Sequence, residues 1–208
     1  MLEGAYLNIF DLFEFCFLIV FYMAFIGRSI KLRLTGTNPF VIGKGKKGLK
    51  EFVEILFIPV LVFWSWEVLR QSMNIDISIL PGFIYEKLQL SIFVGLSGIT
   101  LTIAGFVLFI MALVSFGDSW RIGIDNGKPA DLITEGVFRF SRNPVFLFID
   151  LYFLGTFLVY PSLFFGLSFV IVALLLQYQI VQEEKHLKKI YGEKYAKYME
   201  KAHRYFGF

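Results

Sequence analysis

The sequence predicts an all-α integral membrane protein of about five transmembrane helices, and three observations carry that prediction. Hydrophobic residues make up 57% of the chain and charged residues 18%, whereas a soluble domain is typically about one quarter charged. The mean hydropathy of +0.67 reflects apolar residues gathered into long blocks. The basic residues gather in alternate segments between and after those blocks, which five spans would place on one side. With 208 residues, the chain suits one membrane domain, residues 1–208, with room for about five spans of about 20 residues.

The blocks follow in order. The first spans residues 10–26 and carries acidic flanks (Glu3, Asp11, Glu14) with no basic segment before it, so it does not read as a cleavable signal. The second covers 52–69, with Glu54 and Glu67 expected at the interfaces and Trp64, Trp66 and Tyr85 as interface anchors. The third, 88–116, is long enough to require tilt or bending. The fourth and fifth, 144–160 and 163–181, are separated only by Pro161 and Ser162, which predicts a tight helical hairpin. A surface helix should follow, because Leu187, Tyr191, Tyr195, Tyr198 and Ala202 recur at three- and four-residue steps with lysines opposite. Glu184 with Lys188 and Glu193 with Lys197 have the spacing of supportive helix pairs, and Gly192 should interrupt the helix.

Of the 20 basic residues, all but Arg70 and Lys87 fall in three segments: the loop after block one, the segment between blocks three and four, and the tail. With five spans these segments share one side. The positive-inside rule makes that side cytoplasmic and places the N-terminus outside. The small net charge of +3 is thereby spent on orientation, and nucleic acid is not an expected partner. The single cysteine, Cys16, lies in an apolar block and can form neither an internal disulfide nor a metal cluster. His186 and His203 are too isolated for a metal site, so no metal is expected.

Two polar regions hold the candidate chemistry. Residues 117–144 mix glycines, aromatics and both signs of charge, then enter a span directly. Residues 183–206 begin with Glu183 and Glu184; the first is continuous with the span and can point back into the bundle, while the second can end the span at headgroup level. Asp150 stands six residues into block four, about 9 Å deep at helical rise, and intramembrane acids are functional candidates.

The order of motifs in these regions resembles the isoprenylcysteine carboxyl methyltransferase and phospholipid methyltransferase superfamily. The carriers are Arg142-Asn143-Pro144-Val145-Phe146 entering a span, a helical hairpin, Glu183-Glu184-Lys185-His186-Leu187, Gly192-Glu193-Lys194-Tyr195-Ala196-Lys197-Tyr198, and Arg204. The resemblance covers about residues 117–204. It implies a methyltransferase that binds S-adenosyl-L-methionine in a pocket formed by about 117–146 and 183–206 and closed by the C-terminal segment. The implied cofactor contacts are Ala130, Asp131, Leu132, Ile133, Phe138, Asn143, Pro144, Val145, Phe146 and Glu183. Phe138 and Phe146 suit a ring or the sulfonium cation, Glu183 suits the ammonium or hydroxyls, and the helix start at Asn143-Pro144 suits an anionic end. Arg142, Asp150 and Glu184 are the candidates for handling the acceptor, which is expected to be a lipid or amphiphilic small molecule.

Asn143 replaces the family's usual histidine, and Phe138 and Phe146 replace common tyrosines. A prokaryotic branch shares the Arg-Asn-Pro-x-Phe form and a preceding Ser-Trp-Arg-x-Gly, as at 119–123, which points to a prokaryotic plasma membrane. Gln179 stands where eukaryotic prenylcysteine enzymes place an arginine one turn before the glutamate pair, which points away from a prenylcysteine carboxylate as acceptor. The competing readings are a nicotinamide-dependent membrane reductase of related fold, a non-catalytic scaffold, and a small transporter. A transporter should show broken spans or repeat symmetry, and neither is visible.

Overall fold

The computed structural model describes residues 8–40, 49–117 and 131–206. It is all-helical, with α1 (Ile9–Leu34), α2 (Leu49–Ser72), α3 (Ile92–Phe116), α4 (Pro144–Val159), α5 (Leu163–Tyr191) and α6 (Glu193–Lys201). Short 3₁₀ turns occupy Gly82–Tyr85 and Gly136–Arg139. No strand occurs among the described residues; two isolated bridges join Lys87 to Ser162 and Ser141 to His203.

The chain is an integral membrane protein. Four of its helices are long and apolar enough to cross a membrane, and α4 is a shorter apolar helix. At 16 residues, α4 extends about 24 Å at helical rise, less than the roughly 30 Å hydrocarbon core. Its ends explain its length. Pro144 sits in the first turn, where its missing N–H is no loss, and Tyr160, Pro161 and Ser162 turn the chain into α5. The hairpin expected here is present, and Leu88 N–H donates to the Pro161 carbonyl at 2.7 Å.

α1, α2 and α5 run further than their apolar blocks, whereas α3 starts four residues inside its own. α5 continues helical through Glu183 and Glu184 to Tyr191 and breaks at Gly192, whose φ of +54° suits a residue without a Cβ. α1 extends to Leu34, with Lys31 and Arg33 in its last turn, where cations complement the helix dipole. Asn8 and Ser91 cap α1 and α3 by accepting from Phe10 and Phe93 N–H.

α3 and α4 pack at close range through glycines. A Cβ on Gly98 would lie 2.5 Å from the Gly155 carbonyl oxygen, so the two backbones meet where side chains are missing. Around this contact lies an aromatic core. Phe109 stacks on Phe148 at 4.8 Å, and Phe17 meets Tyr152 edge-on at 4.6 Å.

Several expectations for polar and aromatic residues in the apolar blocks are corrected. Trp64 is not an interface anchor: it is 2% exposed and stacks on Phe153 at 4.1 Å. Glu67 is fully buried rather than interfacial, because Arg70 Nε donates to it at 2.7 Å one turn away. Arg70 in turn lies over the Tyr85 ring at 4.4 Å. The Glu54 side chain lies outside the described residues. Asp11 and Glu14 prove to be buried inside the bundle. Tyr160 donates to Asp11 at 3.0 Å, and Thr156 donates to Glu14 at 3.4 Å.

Candidate functional site

Arg142 organises the site. Its backbone N–H donates to the His203 carbonyl at 2.8 Å. Its Nη2 and Nε donate to Glu184 Oε1 at 2.8 and 3.2 Å. Its Nη1 donates to the carbonyls of Met199, at 3.2 Å, and Ala202. Those carbonyls belong to the end of α6, where a cation satisfies groups that the helix leaves unpaired.

The far side of Glu184 is held by Arg204, whose Nη2 and Nε reach Oε2 at 2.7 and 3.2 Å. This contact holds the Arg204 guanidinium above its ordinary pKa. Asn143 Nδ2 donates to the Arg204 carbonyl at 2.9 Å, and Tyr205 donates to Gln177 Oε1 at 2.6 Å. Residues 202–206 are therefore fastened across the start of α4 and the end of α5. Glu184 is 6% exposed, so it is buried in an ion-paired network rather than solvated; both of its oxygens are taken by arginines. Of the two expected helix pairs, Glu193–Lys197 is present at 3.1 Å.

The aromatic face of α6 is also reassigned. Tyr195, Tyr198 and Ala202 are buried against Val137, Phe138 and Ala112, so this face covers protein rather than lipid. Tyr198 donates to the Phe138 carbonyl at 2.7 Å. Burial, helped by the nearby Glu184 charge, pushes the Tyr195 phenol up to about 12.

Beside this scaffold is a cavity of about 440 Å³, within the usual size of a small-molecule site. Phe138, Arg142, Asn143, Pro144, Val145, Phe146 and Glu183 line it, as do residues of α1 and α2, including Tyr22 and Phe57. Its described charged members are Arg142 and Glu183, and its amides are Asn143 and Gln179. The rest of the wall is largely aliphatic and aromatic.

The structure thus brings most of the expected residues to one place. Leu132 and Ile133 pack behind Phe138 in the α6 cluster and are not among those lining the cavity. Asp131 is exposed and near enough to Tyr191 to raise its phenol, after burial. Ala130 and the 119–123 motif lie outside the described residues. Glu184 stands behind Arg142 rather than at the cavity wall. Asp150 is half-buried in α4; its neighbour Ile149 lines the cavity, while the Asp150 charge is felt by Tyr205. Sequence reasoning missed the α1 and α2 contribution, since a uniformly apolar helix does not show which face will meet a cavity. It also missed Arg204 as the second partner of Glu184, for which the terminal-arginine motif was the available signal.

The donor set fits S-adenosylmethionine. Phe138 and Phe146 offer flat faces to a ring or a sulfonium cation, Glu183 is an anion for an ammonium, and Asn143 is a donor for a carboxylate.

The family profile described as phospholipid methyltransferase matches residues 90–194, half of the chain. No curated protein is similar enough to match. The matched residues include α3, α4, all of α5 and the start of α6, which build most of the cavity and its arginine-bound support. Family membership displaces the reductase, scaffold and transporter readings. The chain belongs to the phospholipid methyltransferase family and is a membrane enzyme that uses S-adenosylmethionine to methylate a phospholipid or other membrane acceptor.

Proposed function

We propose that the cavity beside Arg142 is where methyl donor and acceptor meet, with donor contacts from Phe138, Asn143, Pro144, Val145, Phe146 and Glu183. The single observation that carries this is the convergence of those six residues on one cavity of about 440 Å³. Leu132 and Ile133 shape the pocket from behind, through the packing under Phe138.

S-adenosylmethionine supplies an electrophilic methyl carbon bonded to a sulfonium. When bound, the donor would supply that methyl to the acceptor's lone pair and leave as S-adenosylhomocysteine. This chain's residues orient the two reactants and exclude water, which is the main task in a direct displacement. The apolar walls from α1, α2 and α4 do the excluding. Arg142 handles the polar end of the acceptor at the cavity wall, and Asp150 acts from beside Ile149, outside that wall. Glu184 acts through Arg142 by holding its guanidinium in place.

The acceptor reaches the cavity from the bilayer. Ile58 and Val62 line the cavity, yet are 48% and 61% exposed on a helix apolar enough to span. Such a wall joins the cavity to hydrocarbon and suits a lipid or amphiphile. All five apolar helices, α4 included, traverse the bilayer in this reading. The basic segments face the cytoplasm, the N-terminus lies outside, and the membrane is a prokaryotic plasma membrane.

Calorimetry on the protein in nanodiscs tests the site. S-adenosylmethionine and S-adenosylhomocysteine should bind saturably, reduced nicotinamide cofactor should not, and Glu183→Ala should abolish the adenosyl binding. A well-folded protein that fails to bind either adenosyl ligand at millimolar concentration would overturn the assignment.

A further inference from the structure

α6 is held at the membrane surface by protein contacts, and its outer face carries charge. Its inner face packs on Ala112, one turn before the end of the spanning helix α3, and on Val137 and Phe138. That places α6 at headgroup level. Lys194, Lys197 and Lys201 are exposed on α6, and Lys185, Lys188 and Lys189 are exposed on the last turns of α5. Against these six lysines stand two exposed glutamates on the same stretch, Glu193 and Glu200, the first already engaged by Lys197 at 3.1 Å. Glu184 is neutralised inside by Arg142 and Arg204. Phe140 and Phe206, 45% and 55% exposed, stack beside this segment as apolar contacts for the interface.

We propose that this lysine face binds anionic phospholipid headgroups, and that their binding steadies the reaction site through α6. A fixed row of lysines at headgroup level meets a negative surface within a Debye length. The route inward is short. The Met199 and Ala202 carbonyls at the end of α6 accept from the guanidinium of Arg142, a residue that lines the cavity. Headgroups that immobilise α6 therefore immobilise Arg142. The buried inner face of α6 matters here: because protein and not lipid holds it, displacement of the helix is transmitted to the site. The second half of this inference rests on the assignment of the cavity as the donor site.

The test compares S-adenosylhomocysteine affinity in nanodiscs of phosphatidylcholine alone and of phosphatidylcholine with phosphatidylglycerol. Affinity should be higher in the anionic discs by at least about fivefold, the low end of typical coupling between sites. The gain should disappear between about 0.05 and about 0.5 M salt. In the triple variant K194Q/K197Q/K201Q the gain should also disappear, while affinity in neutral discs stays at the wild-type value. Equal affinity in the two discs overturns the inference and leaves the donor site standing. Absence of binding in both discs overturns the donor site itself. A matching gain in neutral discs on adding soluble polyglutamate would assign the lysine face to an acidic protein and sink the lipid reading.

Discussion

Arg142 and Glu184, 42 residues apart in sequence, form a charge pair at 2.8 Å with side chains only 8% and 7% exposed. The second partner of Glu184, Arg204, keeps a side chain 38% exposed. Two arginines on one carboxylate therefore sit in different solvent. Breaking a buried pair by removing one member costs about 3–5 kcal/mol, whereas an exposed pair contributes about 0–1 kcal/mol. Arg142→Ala should lower the unfolding midpoint in detergent far more than Arg204→Ala. Equal shifts would show that the two guanidinia share the burden.

The glycine contact between α3 and α4 makes a second prediction. A methyl group on Gly98 would stand 2.5 Å from a backbone oxygen, which cannot rotate aside as a side chain can. Overpacking of this kind costs about 1–3 kcal/mol. Gly98→Ala should lower thermal stability, and Gly27→Ala, with no atom within 4 Å of its Cβ, should not. A stable Gly98→Ala protein would mean that the two helices can separate without loss.

The Tyr195 phenol gives the protein a sensitivity to alkali. Its ordinary value is 10.0, and burial raises it to about 12 in the folded chain. Between those values the unfolded chain releases the proton while the folded chain keeps it. The stability from this group is complete below pH 10 and is lost as pH climbs towards 12. Tyr195→Phe should flatten the fall in unfolding midpoint over that window, relative to wild type. Parallel pH profiles for the two proteins would remove Tyr195 as its source.

Phe146 offers a test of stacking apart from charge. An aromatic contact contributes about 0.5–1.5 kcal/mol beyond buried area, roughly a twofold to tenfold change in affinity. Phe146→Leu should weaken S-adenosylhomocysteine by about that factor, while Phe146→Tyr should leave it nearly unchanged. Glu183→Gln should weaken it more, since a charge-assisted hydrogen bond is roughly twice as strong as a neutral one. An unaffected Phe146→Leu protein would move the adenosyl group elsewhere in the cavity.

Polar residues inside apolar blocks were the least legible part of the sequence. Glu67 looked interfacial by its place near a block end, but a helix buries or exposes a residue according to its face, which depends on neighbours. Glu14 and Asp11 read as flanking acids, yet Thr156 and Tyr160 of α4 draw them into the bundle. Trp64 has the position of an anchor and the contacts of a core residue. In a helix apolar on every side, periodicity does not separate the lipid face from the protein face.

By itself the sequence determined the apolar helices, the hairpin at Pro161-Ser162, the break at Gly192 and the family to which the two polar motifs belong. Those follow from local chemistry: hydrocarbon demands apolar helix, proline and glycine end it, and motif order survives without contacts. Only the tertiary structure decided what the motifs do to one another. Glu184 became the buried support of Arg142 rather than a solvated residue because Arg204 folds back over it from 20 residues away. The tyrosines of α6 turned inward because Val137 and Phe138 gave them a surface to cover. Pairing of charges and choice of buried face depend on distances between segments, and those distances are set when the helices pack.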